Sequence, residues 1–242
     1  MLTTLRPPNP TRHPEWRDQV PPLENGDQLT AREFLRRYSA MPEVKKAELI
    51  NGIVHMASPV RTDQHSDPDN IIQTWLGNYA IGTPGTRAST NGTLRLDSDN
   101  TPQPDASLRL LPECGGRSRV DDKGYLTGPP ELVVEISASS ASLDVNDKLT
   151  AYRRAGVREY LVWRTEDECV DWWELIEDEY RHLPEQPDGS IRSRIFPGLW
   201  LHPEALLDLD AARVMTTLRE GLASAEHAAF AGELAKGVGR SG

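Results

Sequence analysis

The stretch 129–160 constrains the fold of this chain more than any other part, because it predicts consecutive elements with little ambiguity. It begins with a nearly continuous apolar run, formed by Leu132, Val133, Val134 and Ile136. Such a run is typical of a strand that is covered on both faces of a sheet. A Ser-rich turn, a helix over 147–155 that ends at Gly156, and a second strand over 159–163 follow. This order predicts an α/β fold.

Glu135 is the charged residue within that apolar run. Removing a carboxylate from water is costly unless a partner or a metal compensates. Lys148 and Tyr152 lie one turn apart on the same face of the predicted helix. A carboxylate near the end of a strand, facing a lysine on the next helix, is suited to catalysis. The structural alternative is a buried ion pair between Glu135 and Lys148 with no catalytic role.

Two further carboxylates are predicted on strands or at their ends. Asn51-Gly52 between two apolar runs predicts a β-hairpin, and Glu48 lies on its first strand. Pro104-Asp105 opens another strand, since proline is tolerated at the first residue of a strand. The structural alternatives are a solvated strand residue for Glu48 and a turn residue for Asp105.

Carboxylates on neighbouring strands can converge on one divalent cation, and oxygen ligands of this kind select Mg²⁺ or Mn²⁺. The candidate metal ligands are Asp105, Glu135, Glu48 and the backbone carbonyl of Ile136. Lys148 would then position the attacking water or stabilise the charge of the scissile phosphate. These groups are suited to phosphodiester hydrolysis, with Lys148, Glu135 and Asp105 as catalytic residues. Because crowded acids repel one another without a metal, we expect Asp105→Asn to stabilise the metal-free protein.

Shorter patterns predict the remaining elements. A capping box that begins at Thr30 starts a short helix, and a longer helix over 66–80 follows His65, whose role stays open. The second Asn-Gly pair, at 91–92, predicts another hairpin over 86–96. Later patterns predict a hairpin from strands over 169–175 and 179–183, a strand over 191–196, a helix over 203–209 and an Ala-rich helix over 211–236.

Composition restricts the classes of function. The 242 residues carry a net charge of −10, which argues against non-specific coating of nucleic acid or of an anionic membrane. The two cysteines, Cys114 and Cys169, form neither a disulfide framework nor a metal-type spacing, which favours a reducing cytosol. We find no signal-peptide pattern and no apolar run of membrane-spanning length, so we expect a cytoplasmic protein with no membrane partner.

Three regions are predicted along the chain. Residues 1–28 contain several prolines and little periodicity, which indicates an extended or disordered arm. Residues 29–210 carry the alternating strands and helices of one domain. Residues 211–242 are predicted to form the C-terminal helix and a flexible tail.

Several motifs, taken in order, resemble the Uma-two family of endonucleases, which belongs to the PD-(D/E)XK, restriction-endonuclease-like superfamily. These motifs are Glu48-Leu-Ile-Asn-Gly52, His65, Pro104-Asp105, Pro130-Glu-Leu-Val-Val-Glu135-Ile-Ser137, Asp147-Lys148, Tyr152, Gly156-Val157 and Glu159-Tyr160. They span roughly residues 30–200, and their combination is more specific than any single motif. The resemblance implies a restriction-endonuclease-like mixed β-sheet flanked by helices, with N-terminal β-hairpins.

The resemblance also implies a Mg²⁺-dependent nuclease site that acts on DNA. It matches Asp105 to the motif aspartate, Glu135 to the acidic residue of the next strand and Glu48 to an early acidic position. The usual lysine two residues after the glutamate is absent, because Ser137 stands there. Lys148 on the following helix takes the place of that lysine.

We therefore predict a metal-dependent endonuclease that hydrolyses phosphodiester bonds in DNA. The alternative is a catalytically silent DNA-binding or protein-interaction module on the same fold, because a fold does not fix a function. The acidic net charge suits tight DNA binding poorly. A homodimer that uses the C-terminal helix as its interface also stays open.

Overall fold

A computed structural model describes residues 20–57, 61–138 and 142–239. In chain order its strands are β1 (Ala47–Ile50), β2 (Ile53–Met56), β3 (Thr86–Thr90), β4 (Leu94–Arg95), β5 (Ala106–Leu110), β6 (Arg119–Val120), β7 (Leu126–Thr127), β8 (Leu132–Ser137), β9 (Glu159–Arg164), β10 (Cys169–Ile176), β11 (Glu179–His182), β12 (Ile191–Arg192) and β13 (Trp200–Leu201). Its helices are α1 (Ala31–Tyr38), α2 (Asp67–Gly82), α3 (Leu149–Ala155), α4 (Pro203–Leu207), α5 (Ala211–Leu222) and α6 (Ala225–Val238). Short π-helical turns over Thr62–Ser66 and Leu143–Lys148 lead directly into α2 and α3. None of the helices in these ranges is long and apolar enough to span a membrane.

The central sheet has six strands in the order β11-β10-β9-β8-β5-β3. β8 and β9 run parallel, with Leu132 opposite Glu159, whereas the other neighbouring strands of this sheet are antiparallel. Parallel neighbours require a crossover connection, and α3 provides it. The mixed sheet predicted from the sequence is therefore confirmed.

Side chains that alternate along β8 enter two different cores. Val134 packs on one face of the sheet with Trp75 of α2 and Leu218 of α5. Val133 packs on the other face with Tyr152 of α3 and Val162 of β9. Because both faces of β8 are covered, the strand can be apolar at successive positions rather than at every second one. The helices that flank the sheet thus explain the sequence run that predicted it.

The N-terminal hairpin of β1 and β2 forms at the predicted Asn-Gly pair. Asn51 and Gly52 have φ angles of 51° and 77°, the left-handed conformation that a tight two-residue hairpin turn requires. Leu49 and Thr101 exchange backbone hydrogen bonds of 3.1 and 2.7 Å. These bonds fix the hairpin, and with it Glu48, beside the segment that leads into β5.

The hairpin predicted over 86–96 is wrong. β3 pairs along its whole length with β5, so its partner is distant in sequence. After Asn91 the chain leaves the central sheet, and β4 pairs in parallel with β7 in a small three-stranded sheet. Leu94 is buried in the core that contains Tyr152, and this burial favours the long-range pairing over a local hairpin.

The single helix predicted over 211–236 is two helices, α5 and α6. The break falls at Ala223 and Ser224. The Ser224 hydroxyl accepts a hydrogen bond from the His227 N–H at 3.2 Å, which is a helix N-cap. The helical pattern of the sequence is therefore right, but the serine restarts the helix.

The predicted N-terminal arm lies mostly outside the described residues, which begin at 20. Within the described part, Leu23 is buried beside Phe34 of α1 and Val54 of β2. The last three residues of the predicted C-terminal tail, 240–242, also lie outside the described residues.

Candidate active site

A pocket of about 450 Å³ lies where the N-terminal hairpin, the start of β5, the end of β8 and the turn before α3 meet. Charged side chains of both signs line it, and six of them matter here: Lys46, Glu48, Asp105, Glu135, Asp144 and Lys148. Since the side chains come from segments far apart in sequence, only the folded chain can assemble this pocket.

Lys148 is the centre of the first charge cluster. Its side chain is only 4% exposed, and its Nζ lies 3.0 Å from Glu48 Oε2, 3.0 Å from Glu135 Oε1 and 3.2 Å from Asp144 Oδ1. Burial by itself lowers the pKa of Lys148, but the surrounding carboxylates outweigh burial and raise that pKa well above its ordinary value. Lys148 is therefore an ammonium ion held by three acids.

Glu135 is a fully enclosed acid of this cluster, with a side chain that is 2% exposed. Burial raises the pKa of Glu135 to about 8, although the Lys148 ammonium acts in the opposite direction. The Tyr152 hydroxyl donates a hydrogen bond to Glu135 Oε1 at 2.8 Å. Lys148 and Tyr152, which the sequence places one turn apart, thus both contact the same carboxylate.

Asp105 belongs to a second cluster on the adjoining strand. Its Oδ1 lies 2.8 Å from Lys46 Nζ, and its Oδ2 accepts a 2.8 Å hydrogen bond from the Ile136 N–H. His65 Nε2 lies 3.5 Å from the same Oδ2. Burial by itself raises the pKa of Asp105, but His65, Lys46 and the Ile136 N–H together lower it well below the ordinary value. These contacts oppose the expectation that crowding with other acids destabilises ionised Asp105.

Glu48 is not a solvated strand residue, because its side chain is only 8% exposed. Its Oε1 accepts a hydrogen bond from the Gln103 N–H at 2.7 Å, while its Oε2 contacts Lys148. Each carboxylate oxygen of Glu48 thus has a partner. The position of Glu48 on β1 places its carboxylate in the pocket.

The two clusters meet at adjacent residues of β8. Glu135 belongs to the Lys148 cluster, and Ile136 donates its N–H to Asp105. The last paired residues of the two strands are Ala106 and Val134, so Asp105 and Glu135 stand at the next position of the ladder. The structure thus brings Asp105, Glu135, Glu48 and Lys148 into one pocket. The role of the Ile136 carbonyl as a ligand stays a prediction.

Two of these six charged residues, Asp144 and Lys46, were not singled out from the sequence. Asp144 lies four residues before Lys148, a spacing that brings side chains together on a helical turn. Lys46 lies two residues before Glu48, a spacing that points side chains to the same side of a strand. Both spacings are visible in the sequence, but they are too common to single out these residues.

The chemistry of the acids is appropriate for a hard divalent cation. Asp105, Glu135 and Glu48 all offer carboxylate oxygens to one pocket, which are the ligands that Mg²⁺ and Mn²⁺ prefer. Among the residues that the structure describes, no three His, Cys, Asp or Glu side chains form a preassembled ligand set. The carboxylates contact the ammonium groups of Lys148 and Lys46 instead.

Comparison with known proteins places this chain in a family. A crystal structure of a "putative nuclease belonging to DUF820" from Anabaena variabilis ATCC 29413 has a TM-score of 0.56 to this chain at 16% sequence identity. The match covers 72% of this chain and 97% of the other, so the two proteins share a restriction-endonuclease-like fold. No curated protein is significantly similar to the chain. The model of the Uma2 family, described as "Putative restriction endonuclease", matches residues 31–208. The chain therefore belongs to the Uma2 family, whose members are described as nucleases of the restriction-endonuclease type.

Proposed function

We propose that this protein is a metal-dependent endonuclease that hydrolyses phosphodiester bonds in DNA. The observation that supports this most is the contact of one buried ammonium, Lys148, with both Glu135 and Glu48 in a pocket that also contains Asp105. A purely structural ion pair needs one acid for one base, whereas this pocket holds an excess of buried acids. Such an excess is expected where a cation with more than one charge binds.

Asp105, Glu135 and Glu48 would hold Mg²⁺ or Mn²⁺, with the Ile136 carbonyl as an additional ligand. When bound, the metal supplies positive charge to the phosphate as negative charge develops on it. The contacts of Asp105 with Lys46 and the Ile136 N–H keep this carboxylate ionised, which is the form that binds metal.

Lys148 would contact the phosphate that is cut. Hydrolysis forms a bond between a water oxygen and phosphorus and breaks the bond to one ester oxygen, and charge accumulates on the non-bridging oxygens in between. An ammonium that is already oriented by Glu135 and Glu48 can stabilise that charge without reorganising. Tyr152 fixes the orientation of Glu135 through its hydrogen bond, so its role is to position and not to react.

DNA is the substrate that the family description favours, and we extend it to this chain as part of the proposal. With its net charge of −10, this protein differs from proteins that coat DNA electrostatically. We therefore expect weak, local contact with the backbone at the pocket rather than tight binding over a wide surface. Action in the cytoplasm and a homodimeric state are further parts of the proposal.

The proposal is tested by incubating the protein with supercoiled plasmid, linear duplex, single-stranded DNA and RNA, each with Mn²⁺, Mg²⁺ or EDTA. We expect DNA cleavage that needs the metal and that is lost in Lys148→Met but kept in Lys123→Met, which removes an exposed lysine. DNA binding without cleavage of any substrate would support the silent module instead. Cleavage by Lys148→Met at the wild-type rate would remove Lys148 from the mechanism.

A further inference from the structure

Asp144 contacts Lys148 but does not belong to the proposed set of metal ligands. We propose that Asp144 is a positioning residue, anchored by Ser137, that holds the Lys148 ammonium against Glu135. This inference rests on the proposed function, because it explains how the lysine of the site is oriented.

Asp144 forms two separate contacts with its two carboxylate oxygens. Oδ1 lies 3.2 Å from Lys148 Nζ, and Oδ2 accepts a 2.7 Å hydrogen bond from the Ser137 hydroxyl. Its backbone carbonyl accepts a hydrogen bond from the Tyr160 hydroxyl at 3.0 Å. Asp144 is 2% exposed and Ser137 is fully buried, so solvent cannot replace these contacts.

Ser137 and Glu135 lie two residues apart on β8, so their side chains point to the same face of the sheet. The hydrogen bond from Ser137 therefore fixes the turn before α3 at a set distance from Glu135. Lys148 lies one helical turn after Asp144, and this turn carries its ammonium to Glu135. The serine and the aspartate together join the end of the strand to the lysine.

A lysine needs such a restraint more than an arginine does. Its ammonium is a compact point charge on a flexible four-carbon chain, and it has no planar fork to define an orientation. The pocket offers Lys148 several acids, so attraction alone does not select one position. A third contact from its own helical turn restricts the ammonium to the point where Glu48 and Glu135 converge.

The first readout is the reactivity of Lys148 in the metal-free protein, measured by acetic anhydride labelling and mass spectrometry. Lys123, which is exposed, is the internal reference. We expect Lys148 to be protected in the wild type and its relative labelling rate to rise by about tenfold in Asp144→Asn and in Ser137→Ala, since each loses a buried contact. Ser193→Ala is the matched control, because Ser193 also donates to a buried carboxylate, that of Glu159, away from the pocket.

The second readout is the cleavage of DNA by the same variants. We expect Ser137→Ala and Asp144→Asn to lower kcat by about tenfold or more with little change in KM, since a positioning residue does not contact substrate. Ser193→Ala is expected to keep the wild-type kcat. If Asp144→Asn fails to fold, Ser137→Ala carries the test alone, because it changes no charge.

The inference and the proposed function fail differently. A wild-type protein that cleaves no nucleic acid contradicts the proposed function, and the labelling rates still decide whether Asp144 and Ser137 hold Lys148. If Lys148 is labelled at the wild-type rate in both variants, the positioning role is overturned, whatever the activity of these variants. Raised labelling with unchanged kcat also overturns it, because orientation of Lys148 would then not matter for cleavage.

Discussion

At the scale of single residues, two lysines and four carboxylates define the pocket. Lys148 contacts Glu48, Glu135 and Asp144, whereas Lys46 contacts Asp105. Glu135 and Asp105 differ in their environment, because burial raises the pKa of Glu135 to about 8 while close basic partners lower the pKa of Asp105. Burial thus dominates the environment of one acid, whereas basic partners dominate that of the other.

Asp105→Asn is expected to destabilise the metal-free protein by about 2 kcal/mol at pH 7, because Lys46 loses its ionised partner. The folded-state pKa of Asp105 is lower than its unfolded value, so its stabilisation is present above the unfolded pKa and is lost as pH falls. The deficit of the variant should therefore shrink below about pH 4. Urea unfolding of the wild type and of the variant from pH 3 to pH 8 measures this difference in the free energy of unfolding. A variant more stable than the wild type at pH 7 would contradict these contacts.

Lys148→Met is expected to destabilise the metal-free protein by about 3 kcal/mol at pH 8, because three acids lose their shared cation. Because the Lys148 ammonium lowers the pKa of Glu135 in the wild type, the buried Glu135 carboxyl of the variant binds a proton more tightly in the folded state, and folding gains stability as pH falls. The deficit should be smaller at pH 5 than at pH 8 in chemical denaturation. A deficit that is constant over this range would argue that Lys148 contributes by packing alone.

The sequence identified the catalytic candidates only where chemistry and local pattern coincided. Glu135 stood out as a charge in an apolar strand, and Asp105 followed a proline at a strand start. Asp144 and Lys46 carry no such signal, since acids before helices and lysines before strands are usually solvated. Their burial depends on contacts between distant segments, which a single sequence does not reveal.

At the scale of elements, the same Asn-Gly signal had two outcomes. At 51–52 the flanking strands pair with each other, whereas at 91–92 they pair with distant strands. Local turn chemistry was equal in the two places, so the partners available in the folded chain decided the pairing. β8, α3 and β9 could be predicted because one short stretch of sequence contains all the signals for them. These signals are the apolar run of β8, the glycine that ends α3, and a helix placed between the two strands.

The turn of the first hairpin should be sensitive to a methyl group. Gly52 has φ 77°, where an L-residue with a Cβ is strained, whereas Gly92 has no positive φ. We expect Gly52→Ala to lower the free energy of unfolding by about 1 kcal/mol. Gly92→Ala, the matched control, should change it by less than about 0.5 kcal/mol. Thermal melts of the two variants compare them directly, and equal losses would contradict the assigned turn.

At the scale of the whole molecule, the chain is acidic while its pocket contains two lysines, of which Lys148 is buried. The helices on both faces of the mixed sheet bury the strands, and the pocket lies where β5 begins and β8 ends. A protein with a net charge of −10 repels the DNA backbone, so the contact with DNA that the proposed function requires would depend on local positive charge. A bound divalent cation would supply such charge at the pocket.

Saturating Mn²⁺ should therefore raise the Tm of the wild-type protein by about 5 °C, since a ligand that binds only the folded state stabilises it. Asp105→Asn should lose most of this shift because it removes a proposed ligand. Asp188→Asn should keep it, because Asp188 is paired with Arg192 on the surface. Differential scanning fluorimetry with and without EDTA measures these shifts. Equal shifts in the two variants would place the metal elsewhere.

The most direct test of the account compares two buried glutamates on adjacent strands. Burial raises the pKa of both, to about 8 for Glu135 and about 7 for Glu159, but only Glu135 lies in the pocket. The measurement is the rate of Mn²⁺-dependent plasmid cleavage by Glu135→Gln and by Glu159→Gln. We predict that Glu135→Gln loses cleavage by about a hundredfold or more, while Glu159→Gln retains it. Wild-type cleavage by Glu135→Gln, or an equal loss in both variants, would contradict a nuclease site built on Glu135.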